Sequence, residues 1–341
     1  MIITFKLYLC TKINKDRVFN NMKNKSYFGH IAMFSANLMW GLNSPIAKRA
    51  LLFGGGVVSS TSLTLFRMFG ACILFWIASI FTKKEHVHHD DMLKLFFAAL
   101  FGVVLNQGTF IYGLSLTSPI DASIVTTTMP IITMIVAALY LKEPVTGKKL
   151  IGIFFGASGA LILIITSKHT GGASRGTNSY LGDLLCMTAQ LSFAIYLTFF
   201  KDLISKYSPI TLLKWMFMYA SICFIPFSYH DVSSLAYSTL PWDVILDIMY
   251  VVVCSTFLAY VCVPIGQKYL RPTVVSMYNY IQPIVAAILT VLLGMDTFGI
   301  TKLVAVICVF SGVYFVTQSK SKAQLDAFKA QQEANDNKPT E

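Results

Sequence analysis

The chain alternates between long apolar runs and short polar connections, and the length of the apolar runs indicates the class of protein. Each run holds ~20 residues, enough for an α-helix to cross the ~30 Å hydrocarbon core of a bilayer. Because most connections are short, successive helices are expected to be antiparallel neighbours. The pattern predicts an all-α integral membrane protein with ten transmembrane helices, at about 29–50, 61–81, 92–114, 119–141, 149–167, 181–200, 209–229, 244–266, 272–294 and 300–319.

One apolar run occurs twice. TTTMPIITMIVAALYLKEP at 126–144 returns as NYIQPIVAAILTVLLGMDT at 279–297, shifted by 153 positions. No gap is needed between 119–166 and 272–319, and ten of these 48 aligned positions are identical. Each half holds five spans, an odd number, so the second half must enter the membrane from the opposite side. The sequence therefore predicts two inverted five-helix repeats, an architecture typical of secondary transporters.

The basic residues give an independent prediction of orientation. With both termini in the cytoplasm, the inner segments hold 19 Lys and Arg residues and the outer segments hold 5. Cytoplasmic loops of membrane proteins carry the excess of positive charge. The predicted order is an inner tail (1–28), the first repeat (29–167), an outer linker (168–180), the second repeat (181–319) and an inner tail (320–341). Two starts stay open: translation from Met1, or from Met22, in which case residues 1–21 are a mis-assigned extension.

Composition excludes several classes of function. The chain is 55% hydrophobic and 13% charged, with a mean hydropathy of +0.64, against roughly 25% charged residues in soluble domains. Its net charge of +11 is spread over loops and tails, without the basic, aromatic-lined face of nucleic-acid binders. Seven cysteines without a CxxC pair predict neither a disulfide framework nor a metal cluster. No cofactor is expected. Because no GxxxxGK[ST] phosphate loop occurs, we do not expect the protein to power transport with ATP on its own.

Prolines and polar side chains recur inside the apolar runs. A proline removes the hydrogen bond to the carbonyl four residues earlier, and such a break survives in a membrane only against protein or a wet cavity. One interpretation is a polar cavity between the halves; the other is that prolines are common in membrane helices and amides join helices. The predicted hinges are Pro45, Pro130, Pro264 and Pro283. The predicted substrate-binding residues are Asn37, Trp40, Asn43, Arg67, Gln107, Thr126, Gln190, Tyr260, Asn279 and Gln282.

Charged residues near the spans each allow two interpretations. Arg67 lies well inside an apolar run, whereas its repeat equivalent, Lys214, lies near the mouth of a span. Arg67 could attract an anionic or zwitterionic substrate, or its side chain could reach the outer interface. Glu143 and Asp296 follow long helices, where a carboxylate could couple protons or cap a helix and pair with a lysine. HVHHDD at 86–91 has metal-binding residue types but reads as a solvated loop.

The chain resembles the EamA-like branch of the drug/metabolite transporter superfamily. The resemblance rests on AMFSANLMWGLNSPIAKRAL in the first span, LYLKEPVTGKKLIGIFFGASGALILI across the fourth and fifth, and LLGMDTFGITKLVAVICVFSGVYFV near the end. In the last stretch Asp296 replaces the more usual glutamate, and Ile300 stands where the first half has Gly147. The resemblance covers about 28–320. It implies two EamA-like five-helix repeats with alternating access around a central cavity, and it leaves the substrate open.

These observations favour a secondary transporter that exports a small polar metabolite or amino-acid-like solute across the plasma membrane, for which a bacterial inner membrane is expected. The alternatives are a sugar or nucleotide-sugar carrier of the same superfamily, and a non-transporting receptor or scaffold. An intramembrane enzyme is not favoured, because no HExxH motif or matched carboxylate pair is present. The expected partners are a small-molecule substrate, the lipid bilayer, a coupling proton or counter-substrate, and a second copy in a homodimer, but no nucleic acid.

Overall fold

The computed structural model describes residues 2–53, 58–140, 147–166, 179–235, 237–269 and 278–318. All regular structure in these ranges is helical. The long helices are α1 (Ile2–Phe53), α2 (Ser60–Ile80), α3 (His89–Leu116), α4 (Pro119–Tyr140), α5 (Gly147–Thr166), α6 (Ser179–Phe199), α7 (Pro209–Ser233), α8 (Trp242–Tyr269), α9 (Ile281–Leu292) and α10 (Ile300–Thr317). A short helix, Lys201–Lys206, joins α6 to α7.

Several helices are long and apolar enough to cross a bilayer. Within the described ranges these are α2, α3, α4, α6, α7 and α8, six in all. Shorter apolar segments lie in α5, α9 and α10, at Leu150–Gly159, Ile281–Leu292 and Ile300–Gly312. The prediction of an all-helical membrane protein is confirmed. The count of ten spans stays a prediction.

Local sequence explains where several helices begin. Ser59, Ser118 and Ser208 each accept a hydrogen bond from a main-chain N–H three residues later, which satisfies a donor that a helix leaves unpaired at its start. In α4 and α7 a proline follows this serine directly. Proline suits the first helical position because its missing N–H would have no partner there. These caps start α2, α4 and α7 at defined residues.

Two helices change their hydrogen-bonding pattern at equivalent places. Leu100–Leu105 in α3 and Tyr250–Leu258 in α8 are π-helical, and a shift of 153 positions places the first stretch on residues 253–258. π-Helical turns are rare and often occur at functional sites. α4 also breaks at Thr127 and Thr128 before resuming at Met129. The apolar pattern did not indicate the π-helical stretches.

The packing of the two halves follows a pseudo-two-fold pattern. The most extensive contacts are between α5 and α10, α2 and α7, α3 and α6, and α1 and α8. When every residue is shifted by one repeat, the α3–α6 contact maps onto the α8–α1 contact, and α4–α6 maps onto α9–α1. Each half thus packs mainly against the other half, and the centre of the molecule is a seam between them.

Glycines permit the closest approach, between α5 and α10. A Cβ on Gly312 would lie 2.5 Å from the nitrogen of Gly156 and 2.7 Å from the oxygen of Gly152, and one on Gly159 would lie 2.8 Å from the oxygen of Ala305. The glycine face of α5, formed by Gly152, Gly156 and Gly159, therefore packs within the chain against α10. Later residues of α5 face earlier residues of α10, so the two helices are antiparallel at this contact, as an inverted repeat requires.

Candidate functional site

A polar cavity of about 140 Å³ lies at the seam between the halves. Nine of the ten predicted substrate-binding residues line it: Trp40, Asn43, Arg67, Gln107, Thr126, Gln190, Tyr260, Asn279 and Gln282. The tenth, Asn37, is fully buried behind the cavity and accepts a 2.7 Å hydrogen bond from Nε2 of Gln282. The structure brings the predicted set together at one place, and its role in binding stays a prediction.

Repeat-equivalent residues face each other across this cavity. Nε2 of Gln107 donates a 3.4 Å hydrogen bond to the hydroxyl of Tyr260, and the two residues are separated by 153 positions. Further lining residues form equivalent pairs at the same offset: Trp40 with Phe193, Thr126 with Asn279, and Met129 with Gln282. The cavity is therefore centred on the pseudo-two-fold axis and receives corresponding positions from both halves.

The residues of α1 are held in place by the π-helical stretch of α8. Nε1 of Trp40 donates a 3.0 Å hydrogen bond to the carbonyl of Ser255, and the hydroxyl of Ser255 donates a 2.7 Å bond to Oδ1 of Asn43. The rings of Trp40 and Tyr260 meet edge to face, with 6.0 Å between their centroids. Since these bonds join the first half to the second, a relative movement of the halves would change the shape of this wall.

Arg67 supplies the positive charge of the cavity. Its side chain is buried, with the residue 5% exposed, and it lines the cavity rather than extending to the outer interface. Nε donates a 2.7 Å hydrogen bond to Oγ1 of Thr256 in α8. Among the described lining residues, none is an aspartate or a glutamate. The cavity thus offers a cation, several amides and aromatic rings, a set suited to holding an anionic or polar solute.

The four predicted hinge prolines occupy two kinds of position. Pro45 and Pro264 lie inside continuous helices, α1 and α8. Pro130 is the second residue of the segment that resumes α4, and Pro283 is the third residue of α9, directly after a 3₁₀ turn at Tyr278–Tyr280. The last two prolines begin helical segments beside cavity-lining residues, so chain breaks accompany them in both halves. Whether they act as hinges stays a prediction.

Ionic contacts link the halves at one end of the bundle, predicted to be the outer end. Lys302 of α10 pairs with Asp296, and its Nζ lies 3.4 Å from Oδ1 of Asp121 in α4. Burial opposes ionisation of Asp296, but hydrogen bonding and the charge of Lys302 outweigh it and lower the pKa of this carboxyl. Arg49 of α1 similarly pairs with Asp247 of α8. Asp296 is therefore in an ion pair; Glu143 lies outside the described residues.

A second set of contacts links the halves at the opposite end. Oδ2 of Asp91, the last residue of HVHHDD, accepts hydrogen bonds from Lys206 at 2.6 Å and from the hydroxyl of Tyr207 at 2.7 Å. The bond to Asp91 raises the pKa of Lys206. Glu85 accepts a 3.0 Å hydrogen bond from the main-chain nitrogen of Ser208. The acidic end of this loop thus contacts the connection between α6 and α7.

Several lining residues were absent from the predicted set: Ser44, Asn106, Phe110, Thr127, Met129 and Phe193. Two of them carry a signal that the sequence contains. Phe193 is the repeat equivalent of Trp40, and Met129 is the equivalent of Gln282. Apolar residues do not stand out within an apolar span. Phe193 and Met129 could therefore have been identified only by applying the offset of 153 positions to Trp40 and Gln282.

This architecture, helical, membrane-spanning and built from two similar halves around a polar cavity, defines a class of membrane carriers. The EamA-like transporter family matches the chain twice, at residues 27–165 and 180–318, two segments that are also separated by 153 positions. The two matches together cover most of the chain. The protein belongs to the EamA-like transporter family, and its general function is the transport of small solutes across a membrane.

Known relatives agree with this assignment. The chain is 26% identical over 247 residues to the uncharacterized transporter YetK of Bacillus subtilis, covering 71% of this chain and 72% of the relative. It is 30% identical over 221 residues to an uncharacterized transporter of Archaeoglobus fulgidus, covering 65% and 74%. It is 23% identical over 332 residues to Protein WALLS ARE THIN 1 of Arabidopsis thaliana, covering 86% and 83%.

The fold also occurs among solved structures. One crystal structure of a protein superposes with a TM-score of 0.56 at 13% sequence identity, covering 85% of this chain and 96% of the other. At this identity the similarity concerns the fold alone.

Proposed function

We propose that the protein is a secondary transporter that exports a small polar metabolite or an amino-acid-like solute by alternating access. The observation that carries the proposal is the polar cavity at the seam, lined by repeat-equivalent residues of both halves. In transporters built from inverted repeats, substrate sites lie near the bilayer midplane at the interface of the repeats. A solute bound there could reach either side when the halves rock against each other.

Alternating access requires contacts that can close either mouth of the cavity, and ionic contacts between the halves lie at both ends of the bundle. Lys302 with Asp121 and Asp296 holds the halves together at one end, and Asp91 with Lys206 holds them at the other. Opening either mouth would break the ionic contacts at that end while those at the other end remain. The prolines beside the cavity, in both halves, are the proposed hinges.

The size and lining of the cavity favour a small solute. Its volume of about 140 Å³ is below the ~300–1,000 Å³ of pockets that hold drug-sized ligands. A nucleotide sugar exceeds this space, whereas an amino acid or a comparable metabolite suits it. The amide groups of Asn43, Asn106, Gln190 and Gln282 can each donate and accept hydrogen bonds.

The proposed location is the plasma membrane, with both termini in the cytoplasm. The ratio of 19 inner to 5 outer basic residues supports the orientation, and the short connections between the helices support the plasma membrane. Because the sequence has no phosphate-binding loop for ATP, an ion gradient or a counter-substrate is the proposed source of energy. A homodimer stays a prediction.

Transport by purified protein in liposomes tests the function. Vesicles loaded with labelled amino acids, sugars or nucleobase derivatives should lose one of these classes faster than protein-free vesicles do. Two double variants, Thr126→Ala with Pro130→Ala and Asn279→Ala with Pro283→Ala, should slow that flux while leaving membrane insertion intact. No flux of any class under an imposed gradient would contradict the proposal.

A matched control separates the cavity from general damage to helices. Thr188 and Pro226 are exposed residues of α6 and α7 and do not line the cavity. The double variant Thr188→Ala with Pro226→Ala removes the same two residue types. It should transport at the wild-type rate; equal slowing of all three double variants would show that the cavity prolines have no special role.

A further inference from the structure

We propose that the transported solute is an organic anion whose carboxylate binds Arg67, and that this binding makes the loaded carrier electrically neutral. The inference rests on the proposed function and specifies its substrate class. It also gives a physical reason for export, because the empty site would carry a positive charge that responds to the membrane potential.

The described residues around Arg67 supply no counter-ion for its charge. Within the described part of the chain, the guanidinium donates one hydrogen bond, from Nε to the neutral hydroxyl of Thr256. No described residue that lines the cavity is acidic, and none of the described carboxylates forms an ion pair with Arg67. A buried charge without a partner is costly. The terminal amino groups of the guanidinium are therefore available to a solute.

The chemistry of arginine indicates what this solute would carry. A guanidinium presents donors in a planar fork that matches the two oxygens of a carboxylate, and it stays protonated at physiological pH. Oε1 of Gln107 is buried without a hydrogen-bond partner, and Gln107 lines the same cavity. This acceptor would suit an N–H or O–H group on the body of the solute. A small carboxylate with a second polar group fits both features.

The electrical consequence follows from this single charge. When the empty cavity is open to the cytoplasm, Arg67 is at the negative inner potential, so an inward-open empty carrier is favoured. A potential of 100 mV shifts this equilibrium by up to about 50-fold for one full charge. The loaded carrier is neutral and is not biased. The carrier therefore binds anions at the inner face and releases them at the outer face. The negative inner potential then drives the positively charged empty site back to the inward-open state.

Binding to the purified full-length protein tests the substrate class. Melting temperatures would be measured with three matched sets: isobutyrate, isobutyramide and isobutylamine; benzoate, benzamide and benzylamine; L-lactate and L-lactamide. At least one carboxylate should stabilise the protein, and its amide or amine partner should not. If no carboxylate stabilises the protein, or if the neutral or cationic partner stabilises it equally, the inference is wrong.

Variants of Arg67 separate charge from geometry. Arg67→Gln should weaken carboxylate binding at least about 30-fold, since removing one partner of a buried charge pair has this effect or a larger one. Arg67→Lys keeps the charge but loses the planar pair of N–H donors, and should bind the carboxylate with intermediate strength. Lys214→Gln is the control, because it removes a charge at the equivalent position of the other half, outside the cavity. It should bind as the wild type does.

Transport in liposomes tests the electrical part with the best-binding carboxylate in labelled form. A potassium diffusion potential, negative inside, should accelerate efflux by wild-type protein and slow influx. Exchange of labelled for unlabelled carboxylate should be insensitive to the potential, because the carrier then moves only in its neutral form. Potential-dependent exchange, or potential-independent net efflux, would contradict this part. Transport of a neutral solute that Arg67→Gln leaves unchanged would refute the anion inference while sustaining the proposed function.

Discussion

Lys302→Met is the most informative single change outside the cavity. The Lys302 side chain is 8% exposed and that of Asp296 5% exposed, and Asp121 is fully buried. Methionine keeps the length of the unbranched side chain but removes the charge from between two carboxylates. Removing one partner of a buried ion pair costs about 3–5 kcal/mol. Protonating one ordinary aspartate at pH 7 costs about 4 kcal/mol, and this value limits the penalty for each carboxylate, because a carboxylate with a larger penalty would take up a proton instead.

The melting temperature of the detergent-solubilised protein measures this loss. A penalty of this size should lower it by about 4–7 °C at pH 7, for a chain of 341 residues. Lys148→Met is the control, because Lys148 is exposed at the start of α5. Its melting temperature should match that of the wild type. The double variant Asp296→Asn with Lys302→Met should recover part of the loss, since one of the two carboxylates that face Lys302 has become neutral.

The dependence on pH has opposite signs in the two proteins. In the wild type the pKa of Asp296 is lowered in the folded state, so its contribution is present above about pH 4 and is lost as the pH falls further. In Lys302→Met, burial without a cation should raise the pKa of Asp296. The variant should then regain stability between pH 7 and pH 5, by up to about 1.4 kcal/mol per pH unit for each proton bound. Equal melting temperatures at pH 7, or parallel pH profiles, would refute the reasoning.

Three further changes test the packing and the links between the halves. Gly312→Ala should lower the melting temperature by a few degrees relative to Gly147→Ala. At Gly312 overpacking costs about 1–3 kcal/mol against a gain of about 1 kcal/mol in helix propensity, whereas a Cβ at Gly147 meets nothing within 4 Å. Arg49→Met should destabilise by about 1–3 kcal/mol in chemical unfolding, because it leaves the buried Asp247 unpaired; no change would contradict this. Asn37→Ala should cost only about 0.5–1.5 kcal/mol but slow transport, and an unchanged rate would argue against a link through this residue.

Hydropathy and the repeat were sufficient to predict the fold class. Membrane helices must satisfy their main-chain groups internally, so a long apolar run has few alternatives to a helix. The offset of 153 could be read from Pro130 and Pro283 because the two halves conserve their spacing, and the double family match has the same offset. The π-helical stretch of α3 could not be predicted in this way. Gly102 lies there against Tyr196, a contact that depends on the packing of two helices.

The polar part of the cavity was predictable because an amide inside an apolar span is conspicuous. Asn43, Gln107 and Gln282 are visible in the sequence for this reason, and the structure places all three on one cavity. Phe193 and Met129 have no such contrast with their neighbours. The sequence also left two interpretations of Arg67, since the direction of a long side chain depends on what surrounds it.

The repeat makes the arrangement of helices symmetric, whereas the distribution of charge in the cavity is asymmetric. A pseudo-two-fold rotation exchanges Gln107 with Tyr260 and Trp40 with Phe193, so under the proposed alternating access each half would take the role of the other. Arg67 has no cationic equivalent at the cavity, because Lys214 does not line it and lies instead with its Nζ 5.0 Å from the ring centroid of Trp76. If Arg67 holds the solute, the anchor belongs to the first half in both orientations. The solute would then stay bound to one half while the second half moves around it, and charge selection would be independent of the direction of opening.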